Sequence, residues 1–141
     1  MSTVINPESA SKFRKKLLQH VALALRASAS EKETQGEYKD ILAFIVLALR
    51  AITSSVDQTA IAWEKRGYWI KADRFRLEWK WAEDAETSLA QALRVEDWKT
   101  AERVGSDLAV RLKNVLVSNR MAKTQPWVGA WLRWSAESEE I

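Results

Sequence analysis

The first residues that could do chemistry in this chain are His20, its one histidine, and Glu86, the one acid in an otherwise apolar helical stripe. A carboxylate inside a helical bundle must be paired or protonated, and an imidazolium is an obvious partner. Folding the chain at its expected turns puts His20, Glu86 and Gly105 within about one helical turn of each other along the bundle axis. Gly105 would leave room beside the pair. This predicts a small buried polar pocket or a pH-sensitive pair. The plainer alternatives are a structural bridge that fixes helix register, or a Glu86 that reaches out to solvent, and these are preferred. An acid–histidine pair without a substrate-orienting set is weak support for acid–base catalysis.

A second candidate is the segment Trp63–Trp81, WEKRGYWIKADRFRLEWKW. Its basic residues Lys65, Arg66, Lys71, Arg74, Arg76 and Lys80 outnumber Glu64, Asp73 and Glu78 and alternate with aromatics. Cations neutralise phosphates and aromatic rings stack on bases, so this mixture suits single-stranded nucleic acid or another anionic surface. The competing reading makes Phe75 and Trp79 core, the charges a solvated face, and Arg76 or Lys80 a cation over Trp69 or Trp81. No sequence signature of a nucleic-acid-binding fold accompanies the patch.

The third candidate is the surplus of tryptophan, eight residues in all. With Trp79 on the inner stripe, Leu77, Trp81 and Trp69 project elsewhere, and monomers rarely display such side chains without a use. Trp127, Trp131 and Trp134 form a stripe of their own near the C-terminus. They can cover part of this surface within the chain, or join Leu77, Trp81 and Trp69 in a partner interface. Contact with a membrane ranks last, since few basic anchors lie near that stripe.

Other chemistry has little to work with. Without cysteine there is no disulfide, thiol nucleophile or zinc–thiolate site, and one histidine cannot make a multi-histidine metal site. Gly-rich phosphate loops and nucleophile elbows are absent, and the serines have only His20 to activate them. No enzyme, cofactor or metal is expected. The reading is a cytoplasmic interaction or accessory protein, a homodimer or partner of another protein, with nucleic-acid association as the alternative and a ligand sensor as the third.

These groups must be positioned by helices. The 141 residues are 47% hydrophobic and 29% charged, which fits one globular domain spanning the chain. Four glycines and two prolines leave too few turns for a many-stranded fold. The net charge of +3 permits an anionic partner without demanding one. Lys12–Lys16 followed by Leu17–Leu25 imitates a secretory leader, but Gln19, His20 and Arg26 break the pattern, and an amphipathic helix explains it better. No run approaches the length of a membrane span.

The first helix is expected over 7–29, opened by Asn6-Pro7, with Phe13, Leu17, Val21 and Ala24 inward and Leu18 and Leu25 widening the face. A polar loop over 30–36 follows. The second helix, over 37–66, carries Tyr38, Leu42, Ile45, Leu49, Ile52, Val56, Thr59 and Trp63 at alternating spacings of four and three, the repeat of supercoiled packing. Gly67 reads as a helix cap, with a third helix over 68–95. Phe75, Leu77, Trp79 and Trp81 also alternate like a strand, yet no Gly or Pro interrupts Tyr68–Val104, so helix is preferred. Asp97 caps a fourth helix over 97–122, and a short tryptophan-rich helix occupies 126–136 before an acidic, frayed tail. The sum is an all-α, up-down-up-down four-helix bundle. One alternative runs a single helix through Gly67 and exchanges it with a second copy.

Overall fold

The computed structural model describes residues 7–29 and 35–139. All the regular structure there is helical: α1 (Pro7–Ser28), α2 (Gln35–Lys65), α3 (Trp69–Arg94), α4 (Trp98–Arg111), α5 (Asn119–Ala122) and α6 (Ala130–Glu139). Asn6, most of the expected polar loop and the end of the acidic tail lie outside the described residues.

α2 is the central element. Its stripe from Leu42 to Thr59 is buried, and Ile41, Ala43, Val46, Ala48, Ser55 and Ala60 bury its other sides too. A helix apolar around most of its circumference must be surrounded. Accordingly α1, α3 and α6 all pack on α2, while α4 lies against α3 and α1. One continuous core joins them, with Ile45, Leu49, Ile52, Leu89 and Leu93 closed to solvent.

The chain turns at Gly67. Tyr68 N–H donates to the Trp63 carbonyl at 2.9 Å and Gly67 N–H to that of Glu64 at 2.9 Å, the paired bonds of a Schellman cap. Gly67 has φ +85°, a left-handed conformation that a side chain resists. α2 and α3 are therefore a hairpin, and the continuous helix through Gly67 is excluded. The α3–α4 turn repeats the pattern without glycine: Asp97 N–H reaches the Ala92 carbonyl at 2.8 Å, with Glu96 at φ 55°. Asp97 then caps α4, accepting from Thr100 N–H at 3.1 Å and from its hydroxyl at 2.6 Å. These bonds hold its carboxyl below the usual range.

The alternating Phe75–Trp81 stretch is helical, because Phe75 and Trp79 turn towards the core while Leu77 faces solvent, 70% exposed. Other expectations need correction. α2 starts at Gln35, so Gln35 and Gly36 are helix rather than loop. α4 stops at Arg111 instead of running to 122. Beyond it lies Val115-Leu116-Val117, whose two β-branched valines favour helix less, and its carbonyls are claimed by α1. Arg26 donates to the Val115 carbonyl at 2.6 Å and Gln19 to that of Leu116 at 3.0 Å. The last helix begins at Ala130, not 126, after a turn containing Gly129 at φ +78°. Asp40 of α2 caps it from a distance, accepting from Trp131 N–H at 2.9 Å and Gly129 N–H at 3.2 Å.

Candidate functional site

The expected polar pocket does not assemble. Glu86 accepts from Arg50 Nε at 3.1 Å, and the same guanidinium donates to Glu137 of α6 at 3.0 Å. His20 rests edge-on against Phe44, with ring centres 6.3 Å apart. Gly105 faces Leu25 of α1. Each member of the expected trio thus meets a different neighbour. Matching heights along an axis fixed how far along the bundle each lies, but not the direction each faces. His20 has its pKa lowered by burial and then by Lys16, so it is held neutral.

Two hollows flank these residues. A cleft of about 480 Å³ between α2 and α3 includes Arg50, Thr53, Asp57, Arg76, Trp79 and Glu86 in its lining. Its arginines already have carboxylate partners within the fold, which leaves no strong net charge to attract a ligand. Another, about 690 Å³, lies among α1, α2 and α4 and includes Leu25, Tyr38, Trp98 and Gly105.

The tryptophan interface is partly corrected as well. Trp127 and Trp134 are core residues, and Trp131 is half-buried against Trp98 at 6.4 Å and Trp134 at 5.2 Å. Lys39 lies over both Trp98 and Trp131, 5.6 and 5.3 Å from the ring centres. The stripe covers α2 within the chain, and of its three rings Trp131 alone keeps partial exposure. Trp81 is half-buried, stacked on Trp79 at 5.9 Å beneath the guanidinium of Arg111 at 4.9 Å. Only Leu77 and Trp69 of the expected interface project freely, 70% and 61% exposed.

The six basic positions divide in the same way. Arg76 is bound by two acids of α2, Glu64 at 2.9 Å and Asp57 at 3.2 Å, which stabilises its charge and holds Glu64 below the usual carboxylate range. Lys80 pairs with Asp84 at 3.0 Å. Neither lies over Trp69 or Trp81 as the sequence suggested; Arg76 instead ties α3 to α2. Lys71 caps the Trp63 ring at 4.5 Å. Lys65, Arg66 and Arg74 are exposed and make no ion pair among the described residues.

The residue that sequence reasoning missed is Arg14. In the sequence it belongs to the basic stretch Lys12–Lys16, while the expected inner face of the first helix starts at Phe13. The structure reverses them: Phe13 is half exposed and Arg14 is only 6% exposed. Arg14 donates to Ser55 Oγ at 2.9 Å and Thr59 Oγ1 at 3.2 Å, and lies over the rings of Phe75 and Trp79. No carboxylate joins it in these contacts, and burial lowers its pKa. Two hydroxyls four residues apart on α2, Ser55 and Thr59, were the available signal.

These contacts also fix orientation. Arg14 sets the first half of α1 level with Ser55–Thr59 of α2 and Phe75–Trp79 of α3, so α1 runs antiparallel to α2. α4 reaches only as far as Trp81. Exposed at the Gly67 end are Ile61, Tyr68, Trp69, Ile70 and Leu77, with the cations Lys65, Arg66, Lys71 and Arg74 and the acids Asp73 and Glu78 among them. Among the described residues no helix is long and apolar enough to cross a membrane, and no group of three metal-ligating side chains gathers. In comparisons with known proteins, no family model, curated protein or solved structure matches this chain.

Proposed function

We propose that this chain acts by binding rather than catalysis, and that its recognition surface is the basic, aromatic end formed by the α2–α3 hairpin. One observation carries this reading. α4 ends at Arg111, so the first turns of α3 keep Trp69, Ile70 and Leu77 exposed beside cations that have no acid of their own. Such a surface selects an anionic partner and speeds its approach. The reading treats α1–α4 as an up-down-up-down bundle in the cytoplasm. Support for the bundle is the ring of contacts from α1 to α2, α3, α4 and back to α1.

The test is retention of the full chain on immobilised heparin, a generic polyanion. Retention that falls steeply with salt is expected, and a Lys65→Glu/Arg66→Glu/Arg74→Glu variant should elute much earlier. A chain that passes unretained at low salt overturns the reading.

Self-association is the second reading, favoured by Ile70, Leu77 and Trp81 sharing one stripe of α3. A two-fold contact there would set Lys71 and Arg74 of one copy near those of the other, which weakens it. Light scattering decides: a dimer has twice the 16.1 kDa chain mass and should dissociate in Leu77→Glu.

A further inference from the structure

We infer that the anionic partner of the hairpin end is a lipid bilayer surface, which the tip enters shallowly through Trp69 and Ile70; this rests on the reading above. Tyr68, Trp69 and Ile70 are consecutive at the turn and are 55%, 61% and 71% exposed. Tryptophan and tyrosine favour the headgroup zone of a bilayer, where an apolar ring and a polar tip are both accommodated. Isoleucine gains only deeper, among acyl chains. Lys65 and Arg66 before the turn, and Lys71 and Arg74 after it, set four cations against the one exposed acid Asp73 around this apolar point. Long basic side chains can remain at headgroup phosphates while the residues between them sink.

Single-stranded nucleic acid fits less well. It needs aromatic platforms in series along a cationic groove. Here the tip is convex, Ile70 and Leu77 cannot stack on bases, and the Trp63 ring is already occupied by Lys71. Tyr68 and Trp69 are left, side by side at one turn rather than in series along a groove.

The tip is also built to stay in shape. The cap bonds at Gly67 close it, and Arg76 bridges α3 to Asp57 and Glu64 of α2 just behind it. Little ordering is then lost on docking, which favours a small contact area.

The experiment is co-sedimentation of the full chain with phosphatidylserine-containing vesicles and with pure phosphatidylcholine vesicles, read together with tryptophan emission. Binding to the anionic vesicles alone is expected, with a blue shift that Trp69→Ala removes. Each cation near such a surface is worth about five-fold in partitioning, so Lys65→Gln/Arg66→Gln should bind about 25-fold more weakly. These positions are exposed, and unchanged thermal unfolding of the variants confirms that they fold. Retention on heparin without binding to either vesicle overturns the lipid assignment and leaves the anionic-partner reading standing. Binding to a single-stranded oligonucleotide but not to vesicles does the same. Vesicle binding that is indifferent to Trp69→Ala overturns the insertion of the tip. No binding to heparin, oligonucleotide or vesicles overturns both readings.

Discussion

Replacing Arg14 with methionine should leave the fold clearly more stable than replacing it with alanine, although both remove a buried, hydrogen-bonded cation. The magnitudes follow from its surroundings. Hydrogen bonds from a charged donor contribute about 1.5–3 kcal/mol each, and Arg14 makes two, to Ser55 and Thr59. Its position over Phe75 and Trp79 adds about 1–2 kcal/mol. Against these stands the desolvation of a guanidinium without a carboxylate, several kcal/mol. The charge terms cancel to within a few kcal/mol. The stem does not cancel: its three methylenes contribute about 2.4 kcal/mol by burial. Methionine keeps most of that apolar volume, and the freed hydroxyls can bond back to carbonyls one turn earlier in α2. Arg14→Met is therefore expected to be clearly more stable than Arg14→Ala and within a few kcal/mol of the parent chain. Arg14→Ala should lose about 2–4 kcal/mol through the lost stem and the cavity left behind. Urea unfolding of the three proteins, with slopes checked for two-state behaviour, measures this. If Arg14→Met is as destabilised as Arg14→Ala, the cation is a net stabiliser and the cancellation is wrong.

Other consequences concern the turns and the last helix. Gly67→Ala should destabilise by about 1–2 kcal/mol, since open space surrounds Gly67 and only its positive φ opposes a side chain. Glu96→Gly at the equivalent position should stabilise by about 0.5–1 kcal/mol, and thermal unfolding of both variants reads the opposite signs. Asp40→Ala removes the acceptor for two N–H groups at the start of α6 and should cost about 1–2 kcal/mol, with red-shifted emission as Trp134 becomes wetted. Burial lowers the pKa of His20 in the fold, so its stabilising contribution is full above the ordinary histidine value of about 6.5 and is lost as pH falls through the window beneath it. His20→Gln should flatten stability across that window.

Much of the architecture was legible because it follows from repeat spacing. The α2 stripe from Leu42 to Thr59, the cap at Gly67 and the cap at Asp97 each rest on one local rule, and each is present. The end of α4 was not legible in that way: Leu112 and Val115 keep the helical spacing, and the competing bonds come from Arg26 and Gln19 of α1. Arg14 and Phe13 exchanged places because hydropathy alone ranks phenylalanine inward. The deciding factor was what α2 and α3 offered at that height, two hydroxyls and two rings. The candidate site fared likewise. Composition singled out the segment now proposed for binding, Lys65 to Leu77, but could not tell that Arg76 and Lys80 are neutralised by Glu64, Asp57 and Asp84. The trio of His20, Glu86 and Gly105 failed for want of rotational information, which seam spacing does not contain.

The most direct test of where this chain binds is to follow its eight tryptophan indole N–H signals by NMR while a soluble polyanion such as dextran sulfate is added. Trp69 should shift first and furthest, with Trp127 and Trp134 unmoved until much higher concentrations. A stationary Trp69 alongside shifts at Trp98 and Trp131 would place recognition at the other end of α2, around Lys39, and contradict the assignment of the hairpin end.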